Sequence, residues 1–255
     1  MAAAGSASRT ELQPAWVLHR RDYRDSSQII EALSCDYGRL GLVARGVRRA
    51  SSRLRGVLEP FQPLLVSWSG RGELQTLTGA ERQQSLPRLS GDALMAGFYL
   101  NELLLRLLAR HDPHPDMFGD YTSAVEALAC GERLGVAVRR FEWQLLERLG
   151  VAPDLAHEME DGTPVTPGRL YRVDPEAGVY AIAGAAGAGQ DAPGEALLAI
   201  AGNGLDRADD DTLRQAGHVL RQLLEVRLDG RALKTRQVLM AMRRGISAAR
   251  TKTDG

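Results

Sequence analysis

Short apolar segments separated by polar, Gly-containing turns make up the first third of the chain. Five of them have strand character, at 15–18, 28–33, 39–44, 64–68 and 74–78. Short strands with turn signals between them are typical of a small barrel or sandwich, and a partly open five-stranded barrel is a common fold for binding single strands. In the third segment Leu40, Leu42 and Ala44 share one face, so they are predicted to enter the barrel core and to place Arg45 at its rim.

The period of the apolar positions changes after Pro87, from the period of a strand to that of a helix. Asp92 is predicted to cap the first helix, and Asp210 or Asp211 the first of the last pair. Pro and Gly punctuate 151–202, which predicts a small irregular or β insertion with strand-like pieces at 171–174 and 178–184. The predicted helices are 93–110, 117–129, 133–149, 212–228 and 234–244.

These elements predict an α+β protein of two domains. A five-stranded β-barrel covers 1–84, and an α-helical domain covers 85–255 with the insertion at about 151–205. Hydrophobic residues make up 44% of the chain and charged residues 25%, as in globular proteins. The formal net charge is zero, so any site for a polyanion is expected to be a local patch and not a general coat.

The sequence gives no sign of export, of a membrane role or of a disulfide framework. Its start lacks the charged and apolar regions of a signal peptide, and the apolar run 103–109 is too short to span a bilayer. The 2 cysteines, Cys35 and Cys130, lie far apart without CxxC spacing. The chain is therefore expected to be cytoplasmic, and neither a disulfide nor a four-ligand zinc site can be assembled from its cysteines.

The arginine loop, residues 45–57, is the most informative segment. It follows the third strand and contains no acidic residue; the next is Glu59. Guanidinium groups crowded on one loop repel one another, so the arrangement favours a solvated loop or one that meets a polyanion such as a nucleic-acid backbone. The arginines of the loop are Arg45, Arg48, Arg49, Arg53 and Arg55.

No catalytic constellation is found in the sequence. The segment 184–190, GAAGAGQ, lacks the Lys-Ser/Thr of a P-loop and is interpreted as a surface loop. The acidic run 209–211 precedes an apolar helix, which favours capping over metal binding. The histidines show no ligand spacing and no serine lies in a GxSxG elbow, so the protein is predicted not to be an enzyme and to need no cofactor.

Several segments, in order, resemble the RecO family of bacterial recombination mediators and DNA-annealing proteins. They include AWVLHRRDYRDSS at 15–27, DYGRLGLVARGVRR at 36–49 and RRFEWQLLERLG at 139–150. The match continues with LRGVLEPFQPLLVSWSGRGEL, FYLNELLLRLL, DDDTLR and DGRALKTRQ and spans nearly the whole chain. The resemblance implies an N-terminal OB-fold barrel, a helical domain and no enzymatic turnover.

The resemblance also implies a function in DNA repair and recombination. Such a protein binds single- and double-stranded DNA, anneals complementary strands and, with RecR, helps to load RecA onto DNA coated by single-strand binding protein. These partners place it in the cytoplasm with the nucleoid. Many family members carry a four-cysteine zinc module after the position matching 149–153, but 151–162 has no cysteine here, so no zinc is predicted.

The family's basic loop falls on the arginine loop, and its C-terminal basic motif on Lys234 and Arg236. Tyr37 is the favoured stacking residue because it lies in a turn, whereas Phe61 and Trp68 are interpreted as structural. The rest of the predicted nucleic-acid site is Arg20, Arg24, Arg39 and Arg71.

For single-strand binding protein, the resemblance implies capture of its acidic C-terminal tail on the helical domain. The predicted rim is Arg139, Arg140 and Trp143, although either arginine could instead pair with Glu102. Two other functions stay open at the level of the residues: a metal-dependent DNA-processing hydrolase and an RNA-binding barrel protein.

Overall fold

The computed structural model describes residues 9–182, 191–228 and 232–235. It divides into two compact units, Met1–Cys130 and Gly131–Gly255. In the first unit, the strands β1 to β5 close into a barrel of order β1-β2-β3-β5-β4. The barrel is of the OB type, which confirms the predicted fold class. Its strands are β1 Arg9–Tyr23, β2 Ser27–Ser34, β3 Gly38–Ala44, β4 Leu64–Ser69 and β5 Leu74–Arg82.

One long, bent strand and one parallel pairing close the barrel. β1 pairs with β2 through its second half and with β4 through its first half, and register shifts between Thr10 and Gln13 and between Val17 and His19 bend it. β3 pairs in parallel with β5, and the other pairings are antiparallel. The alternation read from the sequence is confirmed, because Leu40 and Leu42 are each 1% exposed in the barrel core.

Two helices, α1 Gly91–Leu107 and α2 Pro115–Ala129, complete the first unit. Ser90 occupies the N-cap position of α1 without a side-chain capping hydrogen bond, so the prediction of Asp92 was wrong by two positions. Asp92 lies in the first turn, where its negative charge interacts favourably with the helix dipole. The buried Asn101 of α1 connects the barrel strand β1 with the helix α2. Its amide nitrogen donates to the carbonyl oxygen of Leu18 at 2.8 Å, and its amide oxygen accepts from the hydroxyl of Tyr121 at 2.5 Å.

The second unit combines helices with a small antiparallel sheet of order β7-β6-β8. The strand-like pieces predicted in the insertion are confirmed, but a short apolar helix, α4, was missed there. Eight residues are too few for a helical period to stand out, and α4 begins after Pro193 without a side-chain cap. The elements are α3 Leu134–Arg148, β6 Leu170–Asp174, β7 Gly178–Ala181, β8 Asp191–Pro193, α4 Gly194–Ala201 and α5 Asp210–Arg227.

The cap of α5 is also one residue earlier than predicted. The side chain of Asp209, not of Asp210 or Asp211, accepts a hydrogen bond from the backbone N–H of Thr212 at 2.7 Å. The same hydrogen bond lowers the pKa of Asp209. The last predicted helix, 234–244, lies almost entirely outside the described residues, as does the 184–190 loop.

Candidate nucleic-acid interface

The arginine loop is a folded segment built from successive turns. Val47 and Leu58, 5% and 3% exposed, anchor its two ends in the barrel core. A backbone hydrogen bond from Arg48 to Ser26 O, 3.0 Å long, ties it to the turn between β1 and β2. Since the anchors are apolar and the turns are closed, the loop holds its arginines on a fixed scaffold. The turns are closed by Arg49 N–H to Gly46 O, Ser52 N–H to Arg49 O and Arg55 N–H to Ser52 O, at 3.1, 3.1 and 3.2 Å.

All five arginines of this loop are exposed. Arg48 lies 3.2 Å from a carboxylate oxygen of Asp22, which is itself 61% exposed, so the pair is solvated and weak. Among the described residues, no carboxylate lies within ion-pair distance of Arg45, Arg49 or Arg53, and the same holds for Arg55. The loop therefore carries an uncompensated positive charge at one end of the barrel, which suits a polyanion.

Two clefts flank the base of the arginine loop. The Arg20 cleft, of about 260 Å³, is lined by Arg20, Gln28, Arg48 and Arg55 beside apolar loop anchors. The Tyr23 cleft, of about 470 Å³, lies against the β1–β2 turn and is lined mainly by Tyr23, Arg24, Ser26, Ser27, Arg45 and Arg49. Arg20 and Arg24, predicted from the sequence as part of the site, thus lie beside the arginine loop.

Arg24 has an unusual backbone conformation. Its φ of 53° lies in the left-handed region, which costs a residue with a Cβ atom about 1 kcal/mol or more. Its guanidinium carbon lies 5.1 Å from the ring centroid of Tyr23. A glycine would adopt this conformation without strain. The arginine therefore lowers the stability of the fold, and a role in binding would explain why it is present.

We expect Arg24→Gly to leave the melting temperature unchanged or higher and to weaken DNA binding severalfold. Glycine relieves the left-handed strain, while the loss of one guanidinium removes a positive charge that we expect to contact a phosphate. Thermal unfolding and fluorescence anisotropy with labelled single-stranded DNA measure both effects. A variant that loses stability and keeps full affinity would contradict this assignment of Arg24.

The other predicted residues of the barrel lie at its opposite end. Gln28 pairs with Ala44 and Ser34 pairs with Gly38, so the β1–β2 turn and the arginine loop share one end, whereas Tyr37 lies at the other. The parallel pairing of Gly41 with Leu74 places Arg71 at that second end as well. β3 has 7 residues, which separates the two ends by about 20 Å.

Arg39, also near that second end, has a structural role. Its guanidinium donates to the carbonyl oxygen of Leu105 and lies 3.9 Å from Glu31. Glu31 in turn accepts two hydrogen bonds from Arg110, and this raises the pKa of Arg110. Burial lowers the pKa of Arg39, whose side chain is only 17% exposed. These contacts hold Arg39 within the fold, so it offers little to a bound strand.

Tyr37 and Arg71 remain accessible. Tyr37 is 41% exposed, but its ring is edge-on to the buried Trp68, with 5.1 Å between the ring centroids. Phe61 and Trp68 are 5% and 2% exposed, which confirms that they are structural. Tyr37 therefore supplies an aromatic surface far from the arginine loop.

Arg82 is a functional candidate that the sequence analysis missed. It donates a hydrogen bond to the carbonyl oxygen of Gly56 and lies 3.5 Å from Glu59, which also lies 3.6 Å from Arg88. Arg82 thereby fixes the C-terminal part of the arginine loop. Arg82 was missed because the fifth strand was predicted to end at residue 78, whereas β5 continues to Arg82.

A second basic pocket lies in the second unit, between α3 and α5. It has a volume of about 540 Å³ and is open to solvent. Gly217 of α5 makes it possible, because a Cβ atom there would lie 2.6 Å from Nε of Arg139. Arg139 also pairs with Glu142, whose side chain is fully buried. The pocket is lined by Arg139, Asp191, Arg214, Gln215, His218 and Arg221.

This pocket differs from the predicted tail-binding rim. Arg139 lines it, but Arg140 pairs with Asp206, and Trp143 is only 7% exposed in the core. Arg214 and Arg221 of α5 were missed, since the apolar period indicates which face of α5 is buried but not which helix it packs against. In the first unit, Glu102 lies 3.5 Å from Arg106, one turn along α1.

The remaining predicted residues are at the end of the described chain. Lys234 is exposed, whereas Arg236 lies outside the described residues. Each carboxylate of the acidic run has a partner within the second unit. Asp209 caps α5, Asp210 pairs with Arg133 at 2.9 Å and Asp211 pairs with Arg214. This confirms the capping interpretation of the acidic run.

In the described part of the chain, no three His, Cys, Asp or Glu side chains are grouped so that they could hold a metal ion. Purified protein is expected to contain far less than one zinc ion per chain, because thiolates are the usual ligands of structural zinc and 151–162 has none. Elemental analysis after dialysis against a chelator measures this. Zinc retained at one ion per chain would contradict the prediction.

A closed OB-type barrel with an arginine-rich end, followed by helices and a small sheet, defines a class: OB-fold proteins with a basic face suited to nucleic acid. Comparison of the sequence with known protein families then identifies the family within this class. The family model "Recombination protein O N terminal" matches residues 9–86, and "Recombination protein O C terminal" matches residues 88–237. The chain belongs to the RecO family of DNA repair proteins, as the resemblance indicated.

Curated relatives agree over almost their whole length. The chain is 44% identical to "DNA repair protein RecO" of Methylococcus capsulatus over 239 residues, 92% of this chain and 95% of the relative. It is 43% identical to the protein of that name from an Azoarcus species over 237 residues, 92% and 97% of the two chains. With the relative from Alkalilimnicola ehrlichii it shares 44% identity over 246 residues, 96% of each chain. Among the helices of the described residues, none is long and apolar enough to cross a membrane.

Proposed function

We propose that this protein is a non-enzymatic recombination mediator that binds DNA at the arginine loop and anneals complementary single strands. With RecR, it helps to load RecA onto DNA coated by single-strand binding protein, in the cytoplasm at the nucleoid. The observation that carries the proposal is the set of exposed arginines on one turn-built loop, of which only Arg48 lies near a carboxylate among the described residues.

The chemistry of guanidinium groups suits annealing. An arginine holds phosphate oxygens through paired hydrogen bonds and makes no demand on the Watson-Crick edges of the bases. A strand held in this way keeps its bases free to pair with a second strand. Binding is then tolerant of sequence and sensitive to salt.

The pocket between α3 and α5 is the proposed site for the C-terminal tail of single-strand binding protein. Its arginines and His218 provide donors for an acidic peptide, and the missing side chain of Gly217 leaves room for the guanidinium group of Arg139. Arg139 is paired with Glu142 and Arg214 with Asp211, but Arg214 is 71% exposed and Arg139 only 23%, so Arg214 supplies the more accessible charge.

We expect Arg214→Glu to reduce the affinity for an acidic, apolar-ended peptide by about tenfold or more, since it places a like charge in the pocket. Arg133→Glu is the matched control: Arg133 is also exposed and paired with an aspartate of the same acidic run, but it does not line the pocket. Isothermal titration with the peptide measures both variants. Equal losses in the two variants would remove the pocket from the proposal.

The function is tested by mixing the protein with complementary oligonucleotides coated with single-strand binding protein and following duplex formation. Annealing without strand cleavage in the presence of magnesium supports the proposal. Magnesium-dependent cleavage would favour a hydrolase. Matched DNA and RNA titrations decide the remaining alternative, because tighter binding of RNA would favour an RNA-binding protein.

A further inference from the structure

The geometry points to Tyr23 as the residue that stacks on an unpaired base of the bound strand, an inference that rests on the proposed function. Tyr23 is partly exposed at the end of β1, where it pairs with Ser27 across the turn. It is the aromatic residue among those that line the two arginine clefts. Arg45 and Arg49 line the same cleft, so a strand whose phosphates they hold passes beside the ring.

Arg24 shows that a flat cation can occupy the ring face of Tyr23. Its guanidinium carbon is 5.1 Å from the ring centroid, a cation–π distance. An incoming phosphate offers Arg24 a stronger, charge-assisted hydrogen bond. When the guanidinium group moves to the phosphate, the ring face of Tyr23 is free to stack on a base. Arg24 follows Tyr23 directly in the turn and lines the same cleft, so it lies where it can make this exchange.

The other aromatic residues of the barrel do not have this combination. Trp68 and Phe61 are buried, and Tyr37 lies about 20 Å from the arginine loop with its ring edge-on to Trp68. Stacking on Tyr23 contacts only the face of a base, so it adds affinity for single strands while the pairing edges stay free. This is the contact that an annealing protein can use without blocking the partner strand.

The test compares oligothymidylate with an abasic strand of the same length, which keeps the phosphates and lacks the bases. Wild-type protein is expected to bind the abasic strand more weakly. Tyr23→Ala should bind oligothymidylate about tenfold more weakly than wild type and the abasic strand equally well. Tyr23→Phe should retain wild-type affinity, and Tyr37→Ala serves as the aromatic control at the other end of the barrel.

Loss of the same factor on both strands, or no loss on oligothymidylate, would overturn the assignment of Tyr23. Tyr23→Leu keeps an apolar side chain without an aromatic face, so it replaces Tyr23→Ala if alanine impairs folding. A variant with Arg45→Ala and Arg49→Ala separates the two levels. If it loses affinity on both strands while Tyr23→Ala loses affinity on neither, the proposed function stands and the stacking fails; if it binds both strands as wild type does, the proposed function itself fails.

Discussion

Replacing the five arginines of the arginine loop with alanine is expected to abolish annealing of strands coated with single-strand binding protein and to leave the melting temperature nearly unchanged. All five are exposed, and exposed side chains away from caps and strained turns contribute little to stability. If four or five of them contact phosphates, log affinity falls with log salt with a slope of about −3. The same counterion release corresponds to a loss of roughly a hundredfold or more in affinity at physiological salt.

A matched control removes the same charge from five exposed arginines of the second unit that do not line the pocket between α3 and α5. It should anneal nearly as wild type does, because the loop and its clefts are intact. Annealing assays over a series of salt concentrations measure both variants. A salt slope near zero for wild type, or normal annealing by the loop variant, would place the DNA path elsewhere. The control changes Arg133, Arg148, Arg169, Arg172 and Arg207 to alanine.

Replacing Asn101 with leucine is expected to lower the free energy of unfolding by about 3 kcal/mol. Asn101 is 2% exposed, and its loss leaves the carbonyl group of Leu18 and the hydroxyl of Tyr121 buried without this partner. Complete burial also raises the pKa of Tyr121, so this hydroxyl cannot ionise to compensate. The melting temperature should fall by about 10 °C.

A double-mutant cycle tests the pairing. Tyr121→Phe in the Asn101→Leu background removes the hydroxyl that donated to Asn101, so the double variant should be less destabilised than the sum of the two single variants. Tyr37→Phe, which removes a hydroxyl from an exposed ring, should change stability by less than about 0.5 kcal/mol. Strict additivity in chemical denaturation would show that Asn101 and Tyr121 are not coupled.

Much of the barrel follows from local pattern. The alternation of Leu40, Leu42 and Ala44 is enough to define a half-buried strand, because successive side chains of a strand point to opposite faces. The arginine loop could also be predicted from the sequence, since its charged residues are close together in the chain. Short elements and the ends of elements were predicted less accurately. The helix α4 was missed and β5 was predicted to end too early, because neither segment has a period long enough to mark its limits.

What the sequence by itself determined is therefore the set of local features: five short strands, four long helices and a contiguous basic loop. Only the tertiary structure decided which residues share a site. Strand register put Tyr23 beside the arginine loop and Tyr37 about 20 Å away, and helix packing over Gly217 grouped Arg139 with Arg214 and not with Trp143. The reason is physical: pairing and packing bring together residues far apart in the chain, and a local pattern carries no record of those partners.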